Sequence, residues 1–554
     1  MSQTQDQHDA LRGATAPAVP ADHHASADGD LEQLSPGLAT TCEPSIRDSE
    51  DAQDEDPFLV NFEYQDPADP RTFATWRKIQ ILFVTMLLEF WVNVISSIYS
   101  FGAPEVATEF GISAVAARVP AAVFLFGFAI GPVICAPLSE DYGRVPVMII
   151  GLVVVALFQI GCALANGLAT LVVLRFLSGC FGAVAFNSIG TVSDLWDSDN
   201  QGWGVNTFAL SAEAGATVGP IIGAFVVQDA GWRWTFGVSG IVLAFLTALF
   251  ALTVPETRAG VLLSRRAKKL RKAQNEPRYY ASHDKLRSEH TVTELFKETV
   301  GRPILMLFTE PIVFWFALFD GVNYAVIYMF FEAYPLIFVE YGFTIGQQGL
   351  TFFGVLIGFI IAYFLFALQI KWFHYAGSKR PGGVPTPEDR LLWGIPGGIL
   401  FPISLFFFAW TSFPPIPWIV PVIAGALFGI SSHSLFLIVS DYTVSSYSIY
   451  AASAVAAQSF LREFLSGAFT LITEPMYHNV GYQWATSILA FIGVPLSVIP
   501  FLFYKFGPTI RRRSSFAKEL QLVEEKERNR RAKLESRATT LTNNAAAEVN
   551  LKTQ

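Results

Sequence analysis

Charge is what this sequence has least of. Only 15% of its 554 residues are Asp, Glu, Lys or Arg, whereas soluble globular chains carry about a quarter. The scarcity is uneven. Charges crowd into the first seventy residues, one central segment and the C-terminal tail, and the long stretches between are nearly free of them. Cysteine is scarce as well. Cys135, Cys162 and Cys180 fall within apolar runs and Cys42 lies far upstream, so neither a disulfide framework nor a zinc pattern follows. The polar N-terminus lacks the pattern of a cleavable signal peptide. There is no Gly-x-x-x-x-Gly-Lys loop, which argues against nucleotide-driven transport of that type. His433 is the one histidine read as lying within an apolar run, and it reads as isolated. Without an intramembrane His-Asp or His-Glu cluster, an enzyme is not expected, nor a metal or organic cofactor.

What is abundant is apolar. Hydrophobic residues make up 52% of the chain, and Phe alone occurs 49 times. A bilayer core needs about 20 apolar residues per helix, and twelve such runs can be read: 79–102, 114–138, 146–165, 168–193, 204–228 and 233–254, then 308–335, 347–370, 391–412, 417–441, 452–474 and 483–504. Backbone groups in lipid must bond within their own segment, so these runs are expected to be helices. The chain is therefore expected to be an all-α membrane protein of twelve transmembrane helices in two six-helix halves. The expected organisation is a disordered acidic tail over 1–75, an N-terminal half over 76–254, a basic linker over 255–303, a C-terminal half over 304–505 and a second tail over 506–554.

Residues 1–70 hold sixteen acids and two Arg, while the linker holds twelve Lys or Arg against six acids. Its run from Arg265 to Lys272 resembles a nucleic-acid patch in isolation, but its place between two sets of spans favours a cytoplasmic linker, with no nucleic-acid partner. On the opposite side only Arg118 and Arg233 lie near the span ends. The positive-inside rule then places both termini and the linker in the cytoplasm. The inner loops at 194–203 and 442–451 add nothing, since the first holds Asp194, Asp197 and Asp199 and the second no charge.

The loop after the second run reads Ala136-Pro137-Leu138-Ser139-Glu140-Asp141-Tyr142-Gly143-Arg144-Val145-Pro146. It resembles the signature loop of the major facilitator superfamily, in the form common among fungal drug:proton antiporters with twelve spans. The resemblance implies that Glu140, Gly143 and Arg144 hold the inner gate of the N-terminal half. Leu174-Arg175-Phe176-Leu177-Ser178-Gly179 is similar to the family's intramembrane arginine motif, which implies a role for Arg175 in proton coupling. Gly215-Ala216-Thr217-Val218-Gly219-Pro220-Ile221-Ile222-Gly223 resembles the antiporter motif that marks exporters, with Gly215, Gly219, Pro220 and Gly223 at its defining positions. Glycines at four-residue steps give a helix a smooth face, and proline removes one backbone bond. Further segments of the same style, among them Trp232-Arg233-Trp234 and Pro255-Glu256-Thr257, extend the resemblance over about residues 60–520.

Proton-coupled transport needs groups that exchange protons or charge partners inside the membrane. Glu89, Arg175, Glu213, Asp320, Arg462 and Glu463 fall in the middle third of their runs, and Glu332 lies nearer an end. The resemblance implies that spans one, four, seven and ten line the cavity, so that Glu89 and Asp320 occupy corresponding helices. The expectation is that one of those two carboxylates carries the proton with Arg175 as its switchable partner. Adjacent Arg462 and Glu463 should point about 100° apart, one of them bracing neighbouring helices. Trp91, Asn93, Asn323, Tyr324 and Tyr328 are candidate lining for an amphipathic pocket, or else ordinary packing residues.

The favoured reading is a monomeric, multi-pass exporter of small amphipathic organic molecules, drugs or a secondary metabolite such as a toxin or glycolipid. It is driven by the proton gradient and sits in the plasma membrane, with the vacuole or another internal membrane as the alternative. The competing readings are a polyamine or organic-acid carrier, a proton-coupled uptake symporter and a non-transporting membrane sensor.

Overall fold

A computed structural model describes residues 58–63, 65–196, 201–284, 297–379, 386–447, 450–514 and 516. Among them run twelve long helices, labelled here α1 (Thr75–Ser97), α2 (Ala114–Tyr142), α3 (Arg144–Ala163), α4 (Leu168–Gly182), α5 (Gly202–Ala230), α6 (Trp232–Thr253), α7 (Pro311–Phe338), α8 (Phe353–Ser378), α9 (Gly394–Thr411), α10 (Ile419–Tyr447), α11 (Ala451–Val480) and α12 (Tyr482–Ser497). α4 continues through a 3-10 turn into Asn187–Leu195, and α12 continues into Ile499–Arg513. The last helix therefore ends eight residues beyond the expected boundary at 505.

Eleven of the twelve are long and apolar enough to cross a bilayer. α11 is the exception, and its composition says why. Ser459, Arg462, Glu463, Ser466, Thr470 and Thr473 recur at helical spacing and are buried, while Phe464 and Ile472 face outward. At about 1.5 Å per residue its thirty residues are ample to span the hydrocarbon. Its polar stripe is hidden inside the bundle, where polar intramembrane residues belong. Conversely α3 and α6 expose Ile150, Leu157, Ile241, Phe245 and Leu252, which suits a lipid-facing surface.

One turn recurs in corresponding places of the two halves. α5 passes into α6 through Gly231 at φ 83°, and α11 passes into α12 through Gly481 at φ 86°. The local sequences, Gly-Trp-Arg-Trp and Gly-Tyr-Gln-Trp, both meet the left-handed backbone with the one residue that has no Cβ. These two turns mark one end of the bundle. The Gly143 turn between α2 and α3 marks the other, the signature-loop end.

Within the N-terminal half, α1 and α5 are joined by the segment that resembles the antiporter motif. A Cβ on Gly215, Gly219 or Gly223 would run into the backbone of α1 at Phe90, Val94 or Ile98. Pro220 has no N–H for the carbonyl of Ala216, four residues earlier. Ser97 supplies the missing donor, its hydroxyl lying 2.6 Å from that oxygen. Gly219 makes this possible, since a Cβ there would clash with Ser97 Oγ and displace it.

The segment 58–63 and 65–75, expected within a disordered tail, is ordered against the linker. Leu59 pairs with Tyr280 in an isolated β-bridge, and Arg266 of the linker helix Ala259–Gln274 forms an ion pair with Asp66. The N–H of Ala68, and then the Arg266 guanidinium, hold the Asp66 carboxyl below the usual carboxylate range. Residues 1–57 and 285–296 lie outside the described residues.

Replacing Ser97 with Ala orphans the Ala216 carbonyl in an apolar seam. Such a loss costs about 1–3 kcal/mol, so Ser97→Ala should lower the thermal midpoint of the detergent-solubilised protein, while Ser97→Thr, which keeps the donor, should fall by less.

Candidate functional site

The two halves meet along a polar layer at the middle of the bundle. Arg462 of α11 is its cationic centre. It lies 3.6 Å from Asp320 Oδ2 on α7, 3.1 Å from Glu463 Oε1, and 3.1 Å from Ser459 Oγ. The guanidinium also lies 4.9 Å from the ring of Tyr324 and 5.0 Å from that of Phe436. Arg462 and Glu463 were expected to diverge. Both side chains are long enough to fold back on each other, and α7 gives the arginine a second carboxylate. All of these groups are buried. Breaking a buried ion pair from one side leaves an uncompensated charge, which costs several kcal/mol.

Glu89 on α1 belongs to the N-terminal half. Its Oε1 accepts a bond of 3.1 Å from Asn93 Nδ2, and the charges of Arg462 and Glu463 reach it across the interface. Glu89 Oε2, Asp320 Oδ1, Glu463 Oε2 and Asn323 Oδ1 are buried without a hydrogen-bond partner among the described residues. The structure brings Asp320, Arg462 and Glu463 together, with Glu89 buried on the facing half. Tyr324 and Tyr328 share a face, with ring centroids 5.4 Å apart, and Tyr328 links the halves through a 2.7 Å bond to Ser96. Asn323 donates to the Ser432 carbonyl at 3.3 Å. Trp91 points elsewhere: its indole N–H donates to the Ser239 carbonyl on α6, inside the N-terminal half.

Arg175 is not the partner of Asp320 or Glu89. Its guanidinium donates to the carbonyls of Ile95 at 2.9 Å, Ser96 at 3.0 Å and Pro120 at 3.3 Å, and it stacks over Phe124 at 4.4 Å. Ile95 and Ser96 end α1, where the helix presents its negative pole. The backbone takes up the charge, so in this conformation Arg175 straps α4 to α1 and α2.

At the signature-loop end the expected acid is also replaced. Glu140 is half exposed and only 3.9 Å from Arg144. The arginine instead donates to Asp194 Oδ2 at 3.2 Å and to Ser139 Oγ at 2.7 Å. Glu256 closes the turn from the far end of α6: its carboxylate accepts from the N–H groups of Arg144 at 2.9 Å and of Val145 at 3.3 Å, at the N-terminus of α3. Gly143, at φ 110°, leaves room for that carboxylate, which a Cβ would strike. Both working acids lie in segments whose partners are fifty or more residues away, a separation that loop composition does not reveal.

His433 is not isolated. It lies on α10 with Nδ1 2.6 Å from Glu213 Oε2 on α5 and Nε2 2.9 Å from Asn206 Oδ1. Ser432 Oγ adds a bond of 3.3 Å to Glu213 Oε1. Near the opposite end, Arg118 on α2 meets Glu332 on α7 at 2.6 Å and Glu474 on α11 at 3.0 Å. This further link between the halves uses Arg118, one of the two basic residues noted near those ends, whose partners lie more than two hundred residues away.

Comparison with known proteins agrees with this architecture. The family model described as Major Facilitator Superfamily matches residues 82–471, and the chain belongs to that superfamily of transporters. It is 38% identical over 468 residues to the MFS-type efflux pump MFS2 of Trichophyton rubrum, covering 84% of this chain and 78% of that one. It is 37% identical over 467 residues to the major facilitator superfamily multidrug transporter mdrA of Aspergillus fumigatus, covering 84% and 76%. Among solved structures, the proton:xylose symporter XylE of E. coli shares the fold, with a TM-score of 0.55 at 17% identity over 78% of this chain and 96% of that one.

The two acids around Arg144 should behave unlike each other. Asp194→Ala leaves a largely buried guanidinium without its nearest carboxylate and should cost about 3 kcal/mol. Glu140→Ala removes an exposed, long contact and should change stability by about 0.5 kcal/mol or less. Thermal midpoints of the two purified variants measure the difference.

Proposed function

We propose that this protein exports small amphipathic organic molecules in exchange for protons. The observation that carries the reading is the charge balance of the central layer. Glu89, Asp320 and Glu463 gather round one arginine, three carboxylates to one guanidinium, in a region sealed from solvent. The excess negative charge can be offset by a proton or by a cationic group on a substrate. A site that accepts one or the other, and opens to opposite sides in turn, exchanges them. The aromatic faces of Tyr324, Tyr328 and Phe436 suit the apolar part of such a molecule.

Export rather than uptake is supported by the relatives, whose names describe efflux pumps and a multidrug transporter. One further relative, 36% identical, is named as the transporter of a citrinin biosynthesis cluster in Monascus ruber. A secondary metabolite is accordingly within the substrate range proposed here. The signature-loop end, which carries Arg144, Arg258, Arg266, Arg390 and Arg511, is assigned to the cytoplasm by the positive-inside rule. Both ends of the chain then lie on that side, and the plasma membrane is the membrane proposed. We further assign residues 1–75 and the residues beyond Arg513 as cytoplasmic tails and 255–303 as the cytoplasmic linker between the six-helix halves, the transporter working as a monomer.

The test is untargeted mass spectrometry of medium and cells from hosts carrying the gene, lacking it, or carrying Asp320→Asn. The expected result is a compound that is lost from the medium and retained in the cells without the gene, with at least about tenfold less export by Asp320→Asn. A compound depleted from the medium only when the gene is present would reverse the direction of transport. Full export by Asp320→Asn would remove Asp320 from the coupling mechanism.

A further inference from the structure

The contact between Glu213 and His433 joins the two halves, and its hydrogen-bond network determines where the hydrogens lie. Asn206 anchors the chain. Its Nδ2 is 3.1 Å from the carbonyl oxygen of Tyr363 on α8, which can only accept, so the amide must donate there. Its Oδ1 therefore faces His433 Nε2, at 2.9 Å, and that nitrogen must carry a hydrogen. The remaining ring nitrogen, Nδ1, lies 2.6 Å from Glu213 Oε2.

That contact needs one hydrogen between the two atoms. It is a bond if the imidazole is doubly protonated and donates to a carboxylate, and equally if a carboxylic acid donates to a neutral imidazole. In both cases the pair is formally neutral. If the shared proton leaves, the Nδ1 lone pair faces a carboxylate oxygen at hydrogen-bond distance with nothing between, and the pair carries one negative charge. Histidine, Glu213 and Asn206 are all fully buried, so water does not relieve that repulsion.

Beside the pair, the halves are also joined by the bonds of Asn206 and Thr207 on α5 to Tyr363 on α8 and by apolar contacts. Phe436, one turn along α10, packs with Met86, Val192 and Phe208 of the N-terminal half. At the level of the pair, the titratable or charged groups on the surrounding helices are Glu89 on α1, Asp320 and Tyr324 on α7, Tyr363 on α8, and Arg462 and Glu463 on α11, whereas α9 has none along its length. Ser432, which donates to Glu213 Oε1, also offers its carbonyl to Asn323 on α7, so the pair adjoins the central layer.

We propose that Glu213 and His433 form a proton-operated joint between the halves: one proton, shared between Oε2 and Nδ1, keeps α5 on α10, and its release to water lets that contact part. The joint concerns the movement of the halves and is independent of the substrate and of the direction of transport.

The test uses the full chain in lipid nanodiscs, with Cys42, Cys135, Cys162 and Cys180 replaced by Ala and spin labels at Ser193→Cys and Val444→Cys, one on each half at the signature-loop end. Pulsed electron paramagnetic resonance reads the distance between labels from pH 5 to pH 9. The proposal predicts a short distance at low pH that lengthens as the pH rises. Glu213→Gln replaces the shared proton by an amide hydrogen that donates to Nδ1 and cannot leave, so the distance should stay short throughout. His433→Gln removes the joint, and its distance should lose its pH dependence. Gel filtration of each variant as a single symmetrical peak is the check on folding. A Glu213→Gln protein that lengthens with pH as the parent does would overturn the proposal, as would a parent whose distance does not change. Neither result depends on whether Asp320→Asn exports.

Discussion

A polar group inside the hydrocarbon layer finds partners only within the protein, and this constraint organises the whole bundle. It explains why Ser97 is bonded to the carbonyl that Pro220 leaves open, and why Arg175 is wrapped in backbone oxygens from two other helices. It also explains α11, whose polar stripe would be intolerable against lipid and is instead turned toward α2 and α7. The groups that a transporter must move between partners are thereby collected at the surface between its halves.

Polar links cross that surface at different depths. Arg118 clamps Glu332 and Glu474 near the end that carries the Gly231 and Gly481 turns. Ser96 and Tyr328 meet between that clamp and the central layer. The Glu213–His433 contact lies on the side toward the signature loop, with Asn206 one or two turns beyond it. A rocking motion of the two halves cannot keep all of these at once. The ends also differ in chemistry. An arginine held by two glutamates is a charged clamp, whereas the Glu213–His433 contact depends on a single hydrogen. Near Arg144, the partners Asp194, Ser139 and Glu256 all belong to the same half, so they stiffen that half and do not bridge to the other.

Much of the fold could be read from composition, because lipid imposes a length and an apolarity that a linear chain displays openly. All twelve helices lie where apolar runs were read, including α11, although its buried polar face sets it apart from the other eleven. The paired turns at Gly231 and Gly481 show a repeat that sequence similarity between the halves left faint. The candidate site was legible residue by residue but not pair by pair. Mid-span position singled out Glu89, Glu213, Asp320, Arg462 and Glu463, since charge in such places is costly. Which of them meet was hidden, because the partners are separated by as many as 374 residues (Glu89 to Glu463) and only the packed halves bring them together. Arg175 was matched to the wrong partners for that reason. His433 looked alone because Glu213 lies on the other half, and Asp194 was passed over because a loop acid says little about orientation. Glu140 drew attention through its place in a motif, while the buried acids around Arg144 carry no local mark.

The central claim is that the sealed interface holds protons on its acidic groups and gives them up as the halves separate. Infrared difference spectroscopy of the reconstituted protein, recorded between acid and alkaline pH, observes protonated carboxyl groups directly. The account predicts a protonated-carboxyl band that disappears on going to alkaline pH and is diminished in Asp320→Asn. A spectrum with no such band, or one that the substitution leaves untouched, would contradict it.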